Sequence, residues 1–231
     1  MAAYAQTLLA SDMDGTVIPL ESGERWGEDL VTFHDALEKA GSLSLAYVTG
    51  RDFRLALAGM RNHGLPAPAF LVCDVGTSVY RATEDGYEED GEYARRMKEA
   101  LGGVDGQGVR RALEGITGLS PQPPDRQTLF KFSFFLEPDT PHPELLGLVA
   151  EELKAVRGRI QVVYSIRPDD GTGLLDILPA GVAKDFAVRY LAEESGVGEE
   201  GVIYAGDSGN DLAAFLAGFR SIVVGNADEA L

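Results

Sequence analysis

The sequence predicts an α/β protein, a doubly wound parallel-sheet (Rossmann-like) core with a smaller α/β unit inserted in it. Three observations carry that prediction. From Thr7 to about Arg81, short apolar runs of strand length alternate with segments of helical periodicity, which is the βαβαβ order of a parallel sheet. The same alternation resumes after Lys184. Between the two stretches lies a segment with strands, helices and Pro- and Gly-rich joints of its own, so the chain leaves the first sheet and returns to it.

The elements follow in order. Leu8-Leu9-Ala10-Ser11 is an apolar strand that runs into Asp12-Met13-Asp14 and a turn at Gly15. Leu30, Phe33, His34, Leu37 and Ala40 recur at helical spacing, and Gly41 stops that helix. His34 among them reads as an ordinary packed or surface histidine. Leu43–Val48 is the next strand, ended by Thr49-Gly50-Arg51; Phe53–Asn62 is a helix closed by His63-Gly64, and Phe70–Asp74 is a third strand.

The inserted segment starts near Ala82 with a polar opening, and Gly102, Gly103, Gly106 and Gly108 suggest helices joined by flexible turns. Pro121-Gln122-Pro123-Pro124 is a stiff connection to a strong strand, Leu129–Leu136. Its alternation sets Phe130, Phe132 and Phe134 on one face and Lys131, Ser133 and Phe135 on the other. A helix around Glu144–Val156 and a strand at Ile160–Ile166 complete the unit. Leu174–Leu178 is a strand whose turn leads back to Lys184. The expected division is therefore 1–81 and 175–231 for the core and 82–174 for the insertion, with two crossings that permit a hinge. A helix at Asp185–Glu194, a strand at Val202–Gly206, a helix at Leu212–Gly218 and a strand at Ser221–Val224 follow, and Leu231 falls where another helix looks to begin.

Composition narrows the function classes. With 45% hydrophobic and 25% charged residues in 231, the chain reads as an ordinary globular protein. No apolar run approaches the ~18–20 residues that span a bilayer, and Met1–Gln6 lacks the basic region of a signal peptide, so no membrane is expected and the expected compartment is cytoplasmic. The lone Cys73 excludes an internal disulfide framework and reads as a buried small hydrophobe. A formal net charge of −17 argues against nucleic acid. It would also repel a phosphorylated ligand at long range, so a site for one must supply its own positive field. The charge itself serves solubility or a basic partner; Glu84-Asp85, Glu88-Glu89-Asp90 and Glu199-Glu200 read as solvated faces.

Two acidic clusters carry the chemistry. Asp12 and Asp14 lie one pleat repeat apart at a strand end, so they start out aimed the same way unless the turn re-aims them. Like charges this close need a cation or a shared proton, unless the segment is only a solvated turn. Gly206-Asp207-Ser208-Gly209-Asn210-Asp211 repeats the arrangement after the late strand. In a parallel sheet the carboxyl ends share one edge, where Asp12, Asp14, Asp207 and Asp211 would converge. Hard oxygen ligands, with no competing Cys/His cluster, favour Mg2+ over zinc. Thr49 and Gly50 are placed to donate hydrogen bonds to an anion, although Thr49 also reads as a helix cap. Lys184 at a helix start opposes the helix dipole, which a nearby anion would explain, or it is a solvated surface charge.

Asp12-Met13-Asp14-Gly15-Thr16, Thr49-Gly50-Arg51, Lys184 and Gly206-Asp207-Ser208-Gly209-Asn210-Asp211 resemble the four ordered motifs of haloacid dehalogenase superfamily phosphatases. The insertion resembles the α/β cap of one subfamily. Asp74-Val75-Gly76-Thr77, Tyr164-Ser165 and Leu175-Asp176-Ile177-Leu178-Pro179 are most similar to the sucrose-phosphate phosphatase group. The resemblance covers nearly the whole chain, although relatives usually continue for one more helix or strand. It implies Asp12 as nucleophile, forming a phosphoaspartyl intermediate, and Asp14 as acid and base. It implies Mg2+ held by Asp12, the backbone carbonyl of Asp14 and Asp207, with Asp211 and Asn210 orienting waters or neighbouring ligands. Thr49, Gly50 and Arg51 would meet the phosphoryl group, and Lys184 would balance charge. In the cap, Lys131, Ser165 and Arg167 either read sugar hydroxyls or are exposed surface. The implied substrate is a small phosphorylated sugar such as sucrose 6-phosphate or a related glycosyl phosphate, and the implied assembly is a monomer or weak homodimer. A phosphomannomutase-type mutase and a non-catalytic sugar-phosphate binder share this architecture.

Overall fold

The computed structural model describes residues 7–20, 26–104, 106–167 and 170–228. The readings of Met1–Gln6 and of a helix beginning at the carboxyl end lie outside them. The chain divides into two compact units, Met1–Asp90 with Lys184–Leu231, and Gly91–Ala183.

The first unit opens with β1 (Thr7–Ser11), α1 (Trp26–Ala40), β2 (Leu43–Val48), α2 (Phe53–His63), β3 (Phe70–Cys73), β4 (Ser78–Thr83) and β5 (Gly86–Glu89). The second unit holds α3 (Gly91–Leu101), α4 (Gly106–Leu113), β6 (Leu119–Pro121), β7 (Phe132–Leu136), α5 (His142–Glu152), β8 (Ile160–Ile166) and β9 (Gly173–Pro179). The first unit then resumes with α6 (Lys184–Ser195), β10 (Val202–Gly206), α7 (Leu212–Phe215) and β11 (Arg220–Val223).

The larger sheet runs β11-β10-β1-β2-β3-β4-β5. Its first five strands are parallel and its last two antiparallel. β1 lies between β2 and β10, one strand from each end of the first unit's sequence, so the direction of winding reverses at β1. A crevice at the carboxyl ends of such strands is where open α/β sheets bind ligands. Gly64 ends α2 as expected, in the left-handed region at φ 62°, and the residue that caps its start is Asp52, not Thr49, accepting the Leu55 N–H at 3.0 Å. Met13, Leu45, Tyr47, Ala56, Met60, Leu71 and Cys73 form the buried apolar centre. His34 is a surface-helix residue whose Nε2 meets the Gly64 carbonyl at 3.1 Å.

Two boundaries differ from the sequence expectation. β4 and β5 extend the larger sheet as a hairpin, so the crossing falls after Asp90 and not at residue 82. The strand expected to open the returning core, β9, pairs instead with β7 and β8 in the smaller antiparallel sheet, β6-β7-β9-β8. Asp90, read as part of a solvated acidic run, is buried. It accepts from Arg81 Nε at 2.5 Å and from the Tyr190 hydroxyl at 2.9 Å.

In the second unit, Phe132, Phe134, Leu136, Leu175 and Ile177 pack with Val109, Leu113, Leu145 and Val149 of α4 and α5. The register sets Ser133 opposite Asp176 and Ser165 opposite Leu174. By the two-residue alternation of strands, the sheet's other face carries Ser133, Asp176 and Ser165.

One buried group suggests a gain in stability. The Tyr47 hydroxyl lies in the first unit's apolar centre without a hydrogen-bond partner among the described residues, and burial holds it well above its ordinary pKa. Tyr47→Phe removes that hydroxyl without changing the ring, so the variant should be more stable by about 1 kcal/mol in urea unfolding. A loss of stability would mean that the hydroxyl is satisfied in solution.

Candidate active site

Loops at the carboxyl edge of the larger sheet, with the first residue of α6, supply the site. β1 delivers Asp12, whose amide donates to the Ala205 carbonyl at 2.8 Å and so ties it to β10. The chain then turns through Gly15 at φ 79°. A Cβ there would lie 2.1 Å from Asp207 Oδ2, so only glycine lets the two loops approach. The Asn226 amide group donates to the Gly15 carbonyl at 2.8 Å, and the Thr16 hydroxyl to Asp207 Oδ1 at 3.0 Å.

Lys184, the first residue of α6, is fully buried, and its Nζ lies 2.9 Å from Asp12 Oδ1 and 2.7 Å from Asp211 Oδ1. It is therefore not a solvated charge. Asp211 has both oxygens fully engaged. Oδ1 accepts from Lys184 and from the Tyr204 hydroxyl at 2.5 Å, and Oδ2 accepts the amides of Asp207 and Ser208 at 3.1 and 3.0 Å. Four bonds fill the acceptor capacity of a carboxylate, so Asp211 serves to hold Lys184 and the Asp207 turn.

Asp12, Asp207 and Asp211 each offer an oxygen within 4.8 Å of the others. Three carboxylates against one ammonium leave two negative charges in a buried site. Burial, only partly offset by Lys184, holds Asp12 well above the ordinary carboxylate value. Burial likewise pushes Asp207 up to about 6. For Asp211, burial is outweighed by Lys184 and Tyr204, and its pKa stays low. Burial lowers Lys184, but Asp12 and Asp211 together hold it above its ordinary value. Two carboxylates pushed toward protonation beside an ion pair form a hard-oxygen donor set two charges short of neutral, which fits one divalent cation.

The Asp14 carboxylate lies outside that cluster, contrary to the sequence expectation of four converging aspartates. β1 ends at Ser11, so strand alternation does not extend to Asp14. Arg51 takes it in a bidentate pair, Nε to Oδ2 at 2.8 Å and Nη2 to Oδ1 at 2.5 Å. Thr49 is buried and its Oγ1 accepts the Arg51 amide at 3.1 Å, which leaves the hydroxyl proton to be donated.

The Thr49–Arg51 turn is braced from β3. The Val75 amide donates to the Thr49 carbonyl at 3.1 Å and the Asp74 amide to the Arg51 carbonyl at 2.9 Å. Both donors sit in the left-handed region, at φ 59° and 53°. A β-branched residue rarely adopts that conformation, and strain of this kind collects at functional sites. Asn210 follows Asp207 on the loop after β10, and its Oδ1 is buried without a partner among the described residues.

The remaining predicted residues belong to the second unit. Lys131 is buried 3.9 Å from Asp176, Ser165 is on β8, and Arg167 lies beyond it, paired with Asp170 at 3.4 Å. Sequence reasoning assigned no part to Thr16, Tyr204 or Asn226. Thr16 and Tyr204 stand inside the apolar-run-and-aspartate segments, but nothing local shows that their hydroxyls face Asp207 and Asp211. Asn226 had no signal at all.

The profile of the sucrose-6F-phosphate phosphohydrolase family matches residues 5–231. The chain belongs to this family. Among curated relatives, it is 31% identical over 222 residues to a haloacid-dehalogenase-like hydrolase of Nitrosococcus oceani, matching 96% of this chain but only 60% of that protein. It is 30% identical over 222 residues to the mannosylfructose-phosphate phosphatase of Agrobacterium fabrum, matching 95% of this chain and 83% of the relative. Among solved structures, the sucrose-phosphatase of Synechocystis, determined with sucrose and phosphate, superposes with a TM-score of 0.78. That match has 26% identity and covers 97% of this chain and 85% of the other. The family and the two-unit α/β architecture agree with what the four motifs imply.

Proposed function

We propose that this family member is a divalent-metal-dependent phosphatase that releases phosphate from a small phosphorylated sugar through a phosphoaspartyl intermediate on Asp12. The observation that supports it most is the buried Asp12, held by Lys184 beside a donor set two charges short of neutral. Phosphoryl transfer is governed by positioning and charge neutralisation. Asp12 and Asp207, with the backbone carbonyl of Asp14, are the groups that would hold the cation. When bound, the cation supplies the missing positive charge and polarises a phosphoryl oxygen. Asp12 attacks phosphorus, and Asp14 protonates the leaving sugar oxygen and then takes a proton from the water that hydrolyses the intermediate. The Thr49 hydroxyl and the Gly50 amide hold phosphoryl oxygens, and Asn210 orients waters or neighbouring ligands. In the second unit, Lys131 and Ser165, with Arg167 beyond them, read the sugar. Sucrose 6-phosphate or a related glycosyl phosphate is the proposed substrate, by analogy with the Agrobacterium and Synechocystis proteins.

A panel of sugar phosphates assayed for phosphate release with and without Mg2+ tests this directly. EDTA should stop turnover and Mg2+ should restore it better than Ca2+, which prefers more ligands at longer distance; full activity in metal-free buffer would remove the metal from the reading.

Metal binding should also be pH-dependent. With the Asp207 carboxylate raised to about 6 when folded and near 3.8 when unfolded, the metal-free folded state binds more protons across that window. Its stability is therefore highest below the window and falls as pH rises through it. A cation must displace that proton, so Mg2+ at about 100 times its Kd should add about 2.7 kcal/mol well above pH 6 and much less near pH 5. Thermal melts with Mg2+ at the two pH values check this, and an equal shift at both would count against Asp207 as a ligand.

A further inference from the structure

We infer that Arg51, seated by Gly59, is the positioning residue for Asp14, and that its guanidinium fork is not the group that grips the phosphoryl oxygens. The inference rests on the phosphatase reading above and sharpens it. Arg51 is fixed at both its backbone and its side chain. Its amide donates to Thr49 Oγ1 at 3.1 Å, and its carbonyl accepts the Asp74 amide at 2.9 Å. Its Nη1 donates to the Leu55 carbonyl at 3.2 Å, while Nε and Nη2 take both oxygens of Asp14. The planar fork that could recognise a phosphate face is thus spent on a carboxylate.

Gly59 explains how the guanidinium reaches that place. It is a buried interior residue of α2 with no positive φ, so the backbone does not require glycine there. Glycine inside a helix is otherwise unfavourable relative to alanine. A Cβ at Gly59 would lie 2.4 Å from Arg51 Nη1, 3.2 Å from Cζ and 3.2 Å from Ile18 Cδ1. Room for the guanidinium, the nearest of these groups, is the main reason for glycine there. The ion pair itself does little for the fold, since the Asp14 side chain is 45% exposed and that of Arg51 25%. Aiming a carboxylate is what the arrangement accomplishes.

The aim matters at two points of the cycle. For the first half, Asp14 takes up a proton from solvent on one oxygen, which leaves the Arg51 fork while the other stays on it. As an Asp12 oxygen bonds to phosphorus, the bond from phosphorus to the sugar oxygen breaks, and that oxygen takes this proton. In the second half, Asp14, now a carboxylate stabilised by Arg51, takes a proton from the attacking water. The phosphorus–Asp12 bond breaks, and phosphate leaves. A nitrophenolate leaving group needs no proton, so the first half on an aryl phosphate does not depend on Asp14.

Gly59→Ala is the first variant, because the atoms it crowds, the Arg51 guanidinium most closely and the Ile18 Cδ1 more loosely, are ends of flexible side chains and alanine favours the helix. Its Tm should be unchanged or higher. On the preferred sugar phosphate, kcat should fall about tenfold with KM changed less than about twofold. Release of nitrophenolate in a single turnover of p-nitrophenyl phosphate should stay near the wild-type rate, while its steady state, limited by the second half, should fall. Arg51→Lys, which cannot form the bidentate pair, should lose more on the sugar phosphate than in the aryl single turnover. If Gly59→Ala melts early, Arg51→Lys alone decides by the same comparison. Equal losses on both substrates, with weaker inhibition by inorganic phosphate, would show that Arg51 grips phosphate and would overturn the inference. Unchanged kinetics in both variants would overturn it as well. A wild-type protein that hydrolyses neither substrate class would instead remove the phosphatase reading on which it rests.

Discussion

Asp12→Asn should abolish turnover and at the same time raise the melting temperature of the metal-free protein. The two effects have one cause. Asp12 is buried beside Asp207 and Asp211 with one lysine to serve all three, and burial already pushes it toward protonation. Asparagine keeps the shape and removes one of the two unbalanced charges, so the apo fold loses a repulsion while Lys184 keeps Asp211. The amide is not a nucleophile toward phosphorus. By analogy with other covalent enzymes, the rate should drop by about 10^3 to 10^6. Phosphate release and a thermal melt on the same sample check both signs. Near-wild-type turnover would refute the covalent route. A lower Tm with lost activity would mean that the carboxylate holds the fold, which the buried repulsion argues against.

Most of the architecture was legible because periodicity and turn residues are local. α2 ends at the left-handed Gly64 as its sequence suggests, and the strands that end at Ser11, Val48, Cys73 and Gly206 carry the apolar runs expected of them. What was not legible depends on partners far along the chain. β9 alternates Leu175 and Ile177 in a way that would suit either sheet, and only its pairing with β7 and β8 assigns it to the smaller one. The β4–β5 hairpin is hidden by Glu84-Asp85 and Glu88-Glu89, which look solvated, although Tyr80 and Tyr87 supply an apolar face to it and Phe53 stacks on Tyr80 at 4.1 Å. Asp90 resembles its acidic neighbours until Arg81 and Tyr190 are seen around it.

The site divides the same way. Asp12 and Asp207 were placed together by the rule that parallel strands share a carboxyl edge, and Lys184 joined them through its place at a helix start and the resemblance of the four motifs. That rule places residues and not side-chain atoms. It could not tell that Asp211 spends both oxygens on Lys184, Tyr204 and two amides, or that Asp14 turns away to Arg51 across 37 positions of sequence.

Lys184→Met should be the most destabilising single change in the first unit as well as an inactivating one. Methionine fills the volume but leaves Asp12, Asp207 and Asp211 buried with no counter-charge, and removing one member of a buried ion pair typically costs about 3–5 kcal/mol. Urea unfolding of the metal-free variant should register that loss. Mg2+ should recover part of it, because a cation at the donor set restores positive charge to the cluster. The double variant Lys184→Met/Asp211→Asn separates the two roles of the lysine. Taking away one orphaned carboxylate should return some of the stability lost in Lys184→Met, while turnover stays absent because nothing is left to steady Asp12 against the incoming phosphate. A Lys184→Met protein as stable as wild type without metal would mean that Asp12 and Asp211 are already protonated in the resting fold. The ion pairs at 2.9 and 2.7 Å would then not be what holds the cluster together.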